Sequence, residues 1–210
     1  MNPESLFSAL GRLDQHLRSL RPSAQMVFFA AVGSTLIAFF ALITQNRIEA
    51  NERARILHAF HEVLPNSQGM TLGRPSDIQF TDPAVQIYPV MENGRLTAFF
   101  IIATTPEGYN GNIRFAMATQ PDGTIIGVRV LDHRETPGLG DGIEASRSRW
   151  IFGFNGKRLD DPSPAAWSVR KDGGAFDQFT GATITPRALV KGIHHALAVL
   201  DNYPRHSPQD

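Results

Sequence analysis

Two short segments hold the side chains whose types and spacing suit chemistry. The first is Asp177-Gln178-Phe179-Thr180-Gly181-Ala182-Thr183. Small residues at Gly181 and Ala182 let another group approach the backbone closely. Directly behind them the pattern predicts a helix, with Thr185 as a good N-cap and Pro186 suited to the first helical position. A helix start offers unpaired N–H groups and the positive end of the dipole, so a phosphate is well placed there. Thr183 lies just before the cap, where its hydroxyl could stand at such a site. On these grounds alone the segment is either an anion site or an ordinary turn in which Thr180 or Thr183 satisfies nearby backbone groups.

The second segment is His133-Arg134-Glu135-Thr136-Pro137-Gly138-Leu139-Gly140, opening a Gly-rich loop that runs to Gly142. Taken alone it is a weak imitation of a phosphate loop, because Gly138, Gly140 and Gly142 lack the following helix of a dinucleotide fingerprint. Glu135 is open to two readings, a proton acceptor beside a cofactor or a carboxylate hydrogen-bonded to backbone. His133 carries the same ambiguity.

The elements that position these segments are legible in outline. VQIYPVM and RLTAFFIIATT flank Glu92-Asn93-Gly94, and an Asn-Gly pair between apolar runs predicts a hairpin. NIRFAMATQ meets IIGVRVLD across Pro121-Asp122-Gly123-Thr124, a second turn with clear chemistry. Four strands with short turns predict an antiparallel meander with helices packed on one face, an α+β fold. After the Gly-rich loop come a short helix and AAWSVR, which reads as a strand. The last helix carries Leu189, Ile193, Leu197 and Leu200 as one apolar stripe and ends near Pro204. Trp150 and Trp167 are expected in the core, and His194 and His195 facing solvent or a partner.

No charged residue occurs between Arg21 and Arg47, and Ala24 to Ile43 reads AQMVFFAAVGSTLIAFFALI. A bilayer core about 30 Å thick needs about 20 apolar helical residues, so this stretch is read as a retained transmembrane anchor. Arg12, Arg18 and Arg21 on one side nearly balance Arg47, Arg53 and Arg55 on the other, leaving only a lean toward a cytoplasmic N-terminus. Leu6, Leu10, Leu13, Leu17 and Leu20 mark one face of an amphipathic helix that Pro22 is expected to break. After the span the helix is expected to continue to Pro65. His58 and His61 there are read as surface histidines, with no metal site. The expected organisation is an N-terminal segment 1–22, a span 23–44, a helical connector 45–84, a cofactor domain 85–204 and a tail 205–210.

Composition narrows the function. The chain of 210 residues has 20 basic and 20 acidic side chains, which gives no electrostatic case for nucleic acid. It contains no cysteine, so thiolate catalysis, disulfides and cysteine-ligated clusters within the chain are excluded. A redox role must rest on another cofactor.

Together the two segments resemble the signatures of FMN-binding domains, Asp-x-x-Ser/Thr-Gly-Ala-Thr and H-x-E-T-P-G-L-G. With a single N-terminal span, the chain is similar to the G subunit of the Rnf ion-translocating electron-transport complex. The C subunit of the sodium-translocating NADH:quinone reductase resembles it in the same motifs. The resemblance covers most of residues 25 to 202. It implies FMN joined by a phosphoester to Thr183, with Asp177, Thr180, Gly181 and Ala182 forming the signal read by an FAD-dependent FMN transferase. It implies that Glu135, Thr136, Leu139 and Gly140 contact the ring or its side chain. It further implies an electron-transfer subunit in the bacterial inner membrane, its soluble domain on the periplasmic side. Its partners would be the other membrane and redox subunits, in a complex that couples redox between ferredoxin and NAD to ion translocation. No catalytic residue and no independent substrate turnover are expected. The alternative is a membrane-tethered FMN-binding sensor or regulatory domain.

Overall fold

The computed structural model describes the backbone of residues 3–64, 67, 69–73 and 84–203, and the side chains among them except those of 3–23, 46, 48 and 49. Pro65, Pro204 and the tail 205–210 lie outside the described residues, as do the side chains of the leucine face expected over Leu6 to Leu20. The chain forms two compact units, Met1–Arg53 and Ala54–Asp210.

A single helix, α1, spans Pro3–Val63 and crosses the boundary between the units. It runs through Pro22 without the expected break. From Ala24 it is long and apolar enough to cross a membrane. Its large apolar side chains between Met26 and Ile43, Phe28, Phe29, Ile37, Phe40 and Leu42 among them, are exposed. A helix with apolar side chains all round and no protein against them matches a lipid environment.

The second unit is built on one antiparallel sheet in simple meander order. Its strands are β1 (Met70–Leu72), β2 (Val85–Glu92), β3 (Arg95–Gly108), β4 (Gly111–Thr119) and β5 (Ile125–Asp132). The last helix, α2, spans Ile184–Asp201. The fold is α+β, as the succession of strands with short turns predicts. Both predicted turns are present. Asn93 and Gly94 close the β2–β3 hairpin with φ of 51° and 77°, the left-handed pair that a two-residue hairpin loop needs. Asp122 accepts hydrogen bonds from the backbone N–H and hydroxyl of Thr124, locking the β4–β5 turn.

Four features differ from expectation. The strand β1 pairs with β2 and adds a fifth strand within residues 45–84. Helices cover both faces of the sheet. On one face α2 packs Leu189, Ile193 and Leu197 against Phe99, Ile101, Phe115 and Met117. On the other the last turns of α1 bring Ala59, Phe60 and Val63 onto Phe100, Ile102, Ala116 and Ala118. Alternate residues of β3 thus enter different cores, and this two-sided burial explains its unbroken apolar run. Finally, AAWSVR is not a strand. It forms 3-10 turns at Pro164–Ala166 and Arg170–Asp172, with one isolated bridge from Val169 to Phe176. The expected short helix after the Gly-rich loop is likewise two 3-10 turns, Asp141–Ile143 and Trp150–Phe154.

The end of α1 is pinned to the sheet. Arg129 on β5 donates from Nε to the Glu62 carboxylate at 3.1 Å and from Nη2 to the Glu62 carbonyl at 3.4 Å. His58 pairs with Glu62 at 3.3 Å and His61 with the Ser67 hydroxyl at 2.7 Å.

Candidate functional site

The loop after β5 is shaped by hydrogen bonds within it. His133 donates from Nε2 to Glu144 at 2.8 Å, while its Nδ1 accepts the backbone N–H of Glu135 at 3.0 Å. That bond from His133 holds the Glu144 carboxyl below the usual carboxylate range, with Ser146 and Arg147 adding to it against the effect of burial. The Thr136 carbonyl accepts from the N–H groups of Leu139 and Gly140, closing a tight turn. Asp141 then accepts the Gly138 N–H at 2.8 Å.

This loop turns Glu135 inward, where it is 5 % exposed. One carboxylate oxygen accepts the backbone N–H of Asn110 at 3.1 Å, from the turn between β3 and β4. The other accepts the hydroxyl of Thr185. Both carboxylate oxygens of Glu135 are thus engaged within the protein. His133 serves as a structural bridge.

The other segment ends in a tight turn. The Ala182 N–H reaches the Phe179 carbonyl at 3.2 Å, and Gly181 takes a φ of 82°. Helix α2 follows, with Thr183 as its N-cap and no side-chain capping bond there. The expected cap at Thr185 is therefore corrected. The helix begins at Ile184, which puts the cap position on Thr183, while Thr185 is 1 % exposed and donates its hydroxyl to Glu135. Pro186 sits in the first turn, where its missing N–H would have no intrahelical partner in any case.

The two segments meet at one cavity of about 230 Å³, lined by Tyr109, Glu135, Thr136, Leu139, Gly140, Gly181, Ala182, Thr183, Ile184 and Thr185. Of the residues that the resemblance assigns to the cofactor, all line it except Asp177 and Thr180, which are exposed. Asp177 instead pairs with Arg170 at 2.9 Å and accepts the Trp150 indole N–H on its carbonyl at 2.8 Å. A side chain at Gly140 would force its neighbours to shift. A Cβ there would lie 2.9 Å from the Glu135 Cβ and 2.9 Å from the Thr185 hydroxyl.

Sequence reasoning missed Tyr109, Asn110, Ile184 and the inward role of Thr185. The first two were detectable, because Asn110-Gly111 between two apolar runs is the same hairpin signal as Asn93-Gly94. The Asn110 side chain also donates to the Thr136 hydroxyl at 3.3 Å. Trp167 is 4 % exposed, stacked with Phe154 and against Phe176 in the core. Trp150 packs edge-on to Phe154 and Phe179. His194 is corrected: its ring stacks on Trp167 with centroids 5.2 Å apart, and burial pushes its pKa below the ordinary value. His195 is exposed.

A meander sheet backed by α2, with both signature segments at one cavity, defines the class, an FMN-binding domain. The family model of that description matches residues 108–198. The chain is 40 % identical over 191 residues to the G subunit of the ion-translocating oxidoreductase complex of Pseudomonas aeruginosa (strain UCBPP-PA14), covering 87 % of this chain and 88 % of that protein. It is 41 % identical over 179 residues to the corresponding protein of Vibrio atlanticus, covering 82 % and 85 % respectively. For that of Cereibacter sphaeroides (strain ATCC 17023) the identity is 43 % over 180 residues, covering 83 % and 81 %. The chain belongs to the G-subunit family of ion-translocating oxidoreductase complexes, known as Rnf.

Proposed function

We propose that FMN is joined to Thr183 through a phosphoester and that the chain relays electrons within a membrane-bound complex. That complex couples redox between ferredoxin and NAD to ion movement. The observation that carries this reading is the convergence of two separate sequence segments on one cavity, with Thr183 at its edge.

The residues fit the group. Thr183 caps an 18-residue helix without spending its hydroxyl on a capping bond, so the oxygen is available for an ester. The unpaired N–H groups and positive dipole end of α2 stabilise the charge that a phosphodiester keeps. Exposed Tyr109, Leu139 and Ile184 offer apolar surface at the cavity for a flat ring. When bound, the flavin supplies the redox chemistry; the protein fixes its position and surroundings. Glu135, Thr136 and Gly140 line the same cavity as Thr183. Asp177 and Thr180 are exposed, as a recognition signal for an FAD-dependent FMN transferase must be. The apolar stretch of α1 anchors the chain in the inner membrane, and the flavin domain works on the periplasmic side among the other subunits.

The test is direct. Expressed with its transferase, the denatured protein keeps flavin fluorescence on a gel, and Thr183→Val removes it. Flavin retained by denatured Thr183→Val would defeat the attachment. Recovery of the chain with several multi-span subunits from solubilised membranes supports the complex, and recovery of the chain alone speaks against it.

A further inference from the structure

The side chain of Thr185 lies outside both signature segments, yet it is the more deeply buried member of the contact that joins them. It is 1 % exposed and donates to the inner oxygen of Glu135. The Asn110 backbone holds the other oxygen at 3.1 Å, and the Glu135 N–H is held by His133 at 3.0 Å. Glu135 is thereby fixed from three elements: the β3–β4 turn, its own loop and the first turn of α2. Of these, only the Thr185 contact ties the loop to the helix that begins at Thr183. Space around the contact is already full, since a Cβ on Gly140 would strike both partners. No side chain at 140 can therefore substitute for the hydroxyl.

We propose that Thr185 is a positioning residue for the flavin. Its hydroxyl, through Glu135, sets the spacing between the loop wall of the cavity and the attachment point on α2. This inference rests on the attachment of FMN at Thr183. The physical argument is that a buried carboxylate deprived of one donor must recover it by moving or by admitting water, because leaving it unpaired is costly. Either response displaces the wall that Glu135, Thr136 and Gly140 form. Attachment itself depends on the exposed segment before α2 and is left intact. The role of Thr185 therefore appears in the environment of the attached flavin, with the amount attached unchanged.

The experiment uses the full chain, co-expressed with its transferase and purified in detergent. Visible circular dichroism of the flavin is measured per attached flavin, because an asymmetric fixed environment, and not mere attachment, generates that signal. Thr185→Val keeps the shape and removes the donor; Thr185→Ser keeps the donor. The expected result is wild-type flavin content in both variants, loss of most of the dichroic signal in Thr185→Val, and its retention in Thr185→Ser. A wild-type signal in Thr185→Val overturns the proposal. So does an equal loss in both variants, which would assign the effect to packing of the methyl group. If Thr185→Val does not fold, Thr185→Ala is read in its place. If neither folds while Thr185→Ser does, the hydroxyl serves the fold alone and the proposal is overturned. Absence of attached flavin from the wild-type chain would instead defeat the attachment at Thr183, an outcome separate from all of these.

Discussion

Trp150 donates its indole N–H to the backbone carbonyl of Asp177 at 2.8 Å. The ring packs edge-on to Phe179 in the same segment, with centroids 5.3 Å apart. A residue from the 3-10 turn after the Gly-rich loop thus holds the segment that leads to Thr183. The hydrogen bond and the ring contact act on the same stretch of backbone, from a side chain that itself leans on Phe154.

Trp150→Phe separates the two contributions, keeping an aromatic ring and deleting the donor. A net loss of about 1 kcal/mol is expected for the bond, with a further fraction for the smaller ring. Urea unfolding followed by far-ultraviolet circular dichroism measures it, and a midpoint equal to that of the wild type would make the bond energetically idle.

Gly140→Ala tests the closeness of the loop to α2. The added Cβ meets Glu135 and Thr185 at 2.9 Å, so something must shift. Overpacking of this kind costs about 1–3 kcal/mol. The variant is expected to unfold at lower urea and to show an altered flavin circular dichroism per attached flavin. Wild-type values for both would mean that the loop yields freely.

Leu189→Ala removes a fully buried side chain from the face of α2 that covers the sheet. Deletions of this type cost about 2–5 kcal/mol, by lost transfer energy and by the cavity left behind. A loss below this range, read from the same unfolding curves, would mean that the core closes over the gap.

His194 provides a dependence on pH. Burial against Trp167 lowers its pKa from the ordinary value of about 6.5, the neighbouring His195 adds to this, and Asp160 opposes it. Its Nε2 is buried without a hydrogen-bond partner among the described residues. Below the ordinary value the unfolded chain takes up a proton that the folded one resists, so stability falls as pH drops through that window. His194→Phe keeps a ring on Trp167 and abolishes the titration. The variant's melting temperature is expected to fall less than the wild type's between pH 7.5 and pH 5.5, settings about one unit either side of the ordinary value. An identical fall in both proteins would locate the acid-sensitive group elsewhere.

Local chemistry was enough for much of this molecule. Asn93-Gly94 and Asp122-Gly123 each dictate a turn through their own backbone and side-chain preferences, and both turns are present. The apolar period of Leu189, Ile193 and Leu197 dictates which face of α2 is buried. An uncharged run of membrane length announces itself without any partner. The α+β class, the candidate span and the two signature segments were therefore legible from the residues.

Other features depended on neighbours distant in the chain. Thr185 lies inside the helix, and its hydroxyl is directed to Glu135, fifty residues away, a partner that no local pattern names. His194 turned inward because Trp167 and its aromatic neighbours provide a surface for its ring. Helices on both sheet faces were hidden because the pattern of β3 reports that two sides are buried, but not by what. A turn or an amphipathic stripe is encoded within a few consecutive residues, whose energies are local. By contrast, the partner of a buried hydroxyl or ring is chosen by whichever distant group the fold brings within bonding distance. The sequence alone thus determined that this chain carries two flavin-domain signatures and an apolar span. Only the tertiary structure decided that Glu135 and Thr185 join those signatures around one cavity.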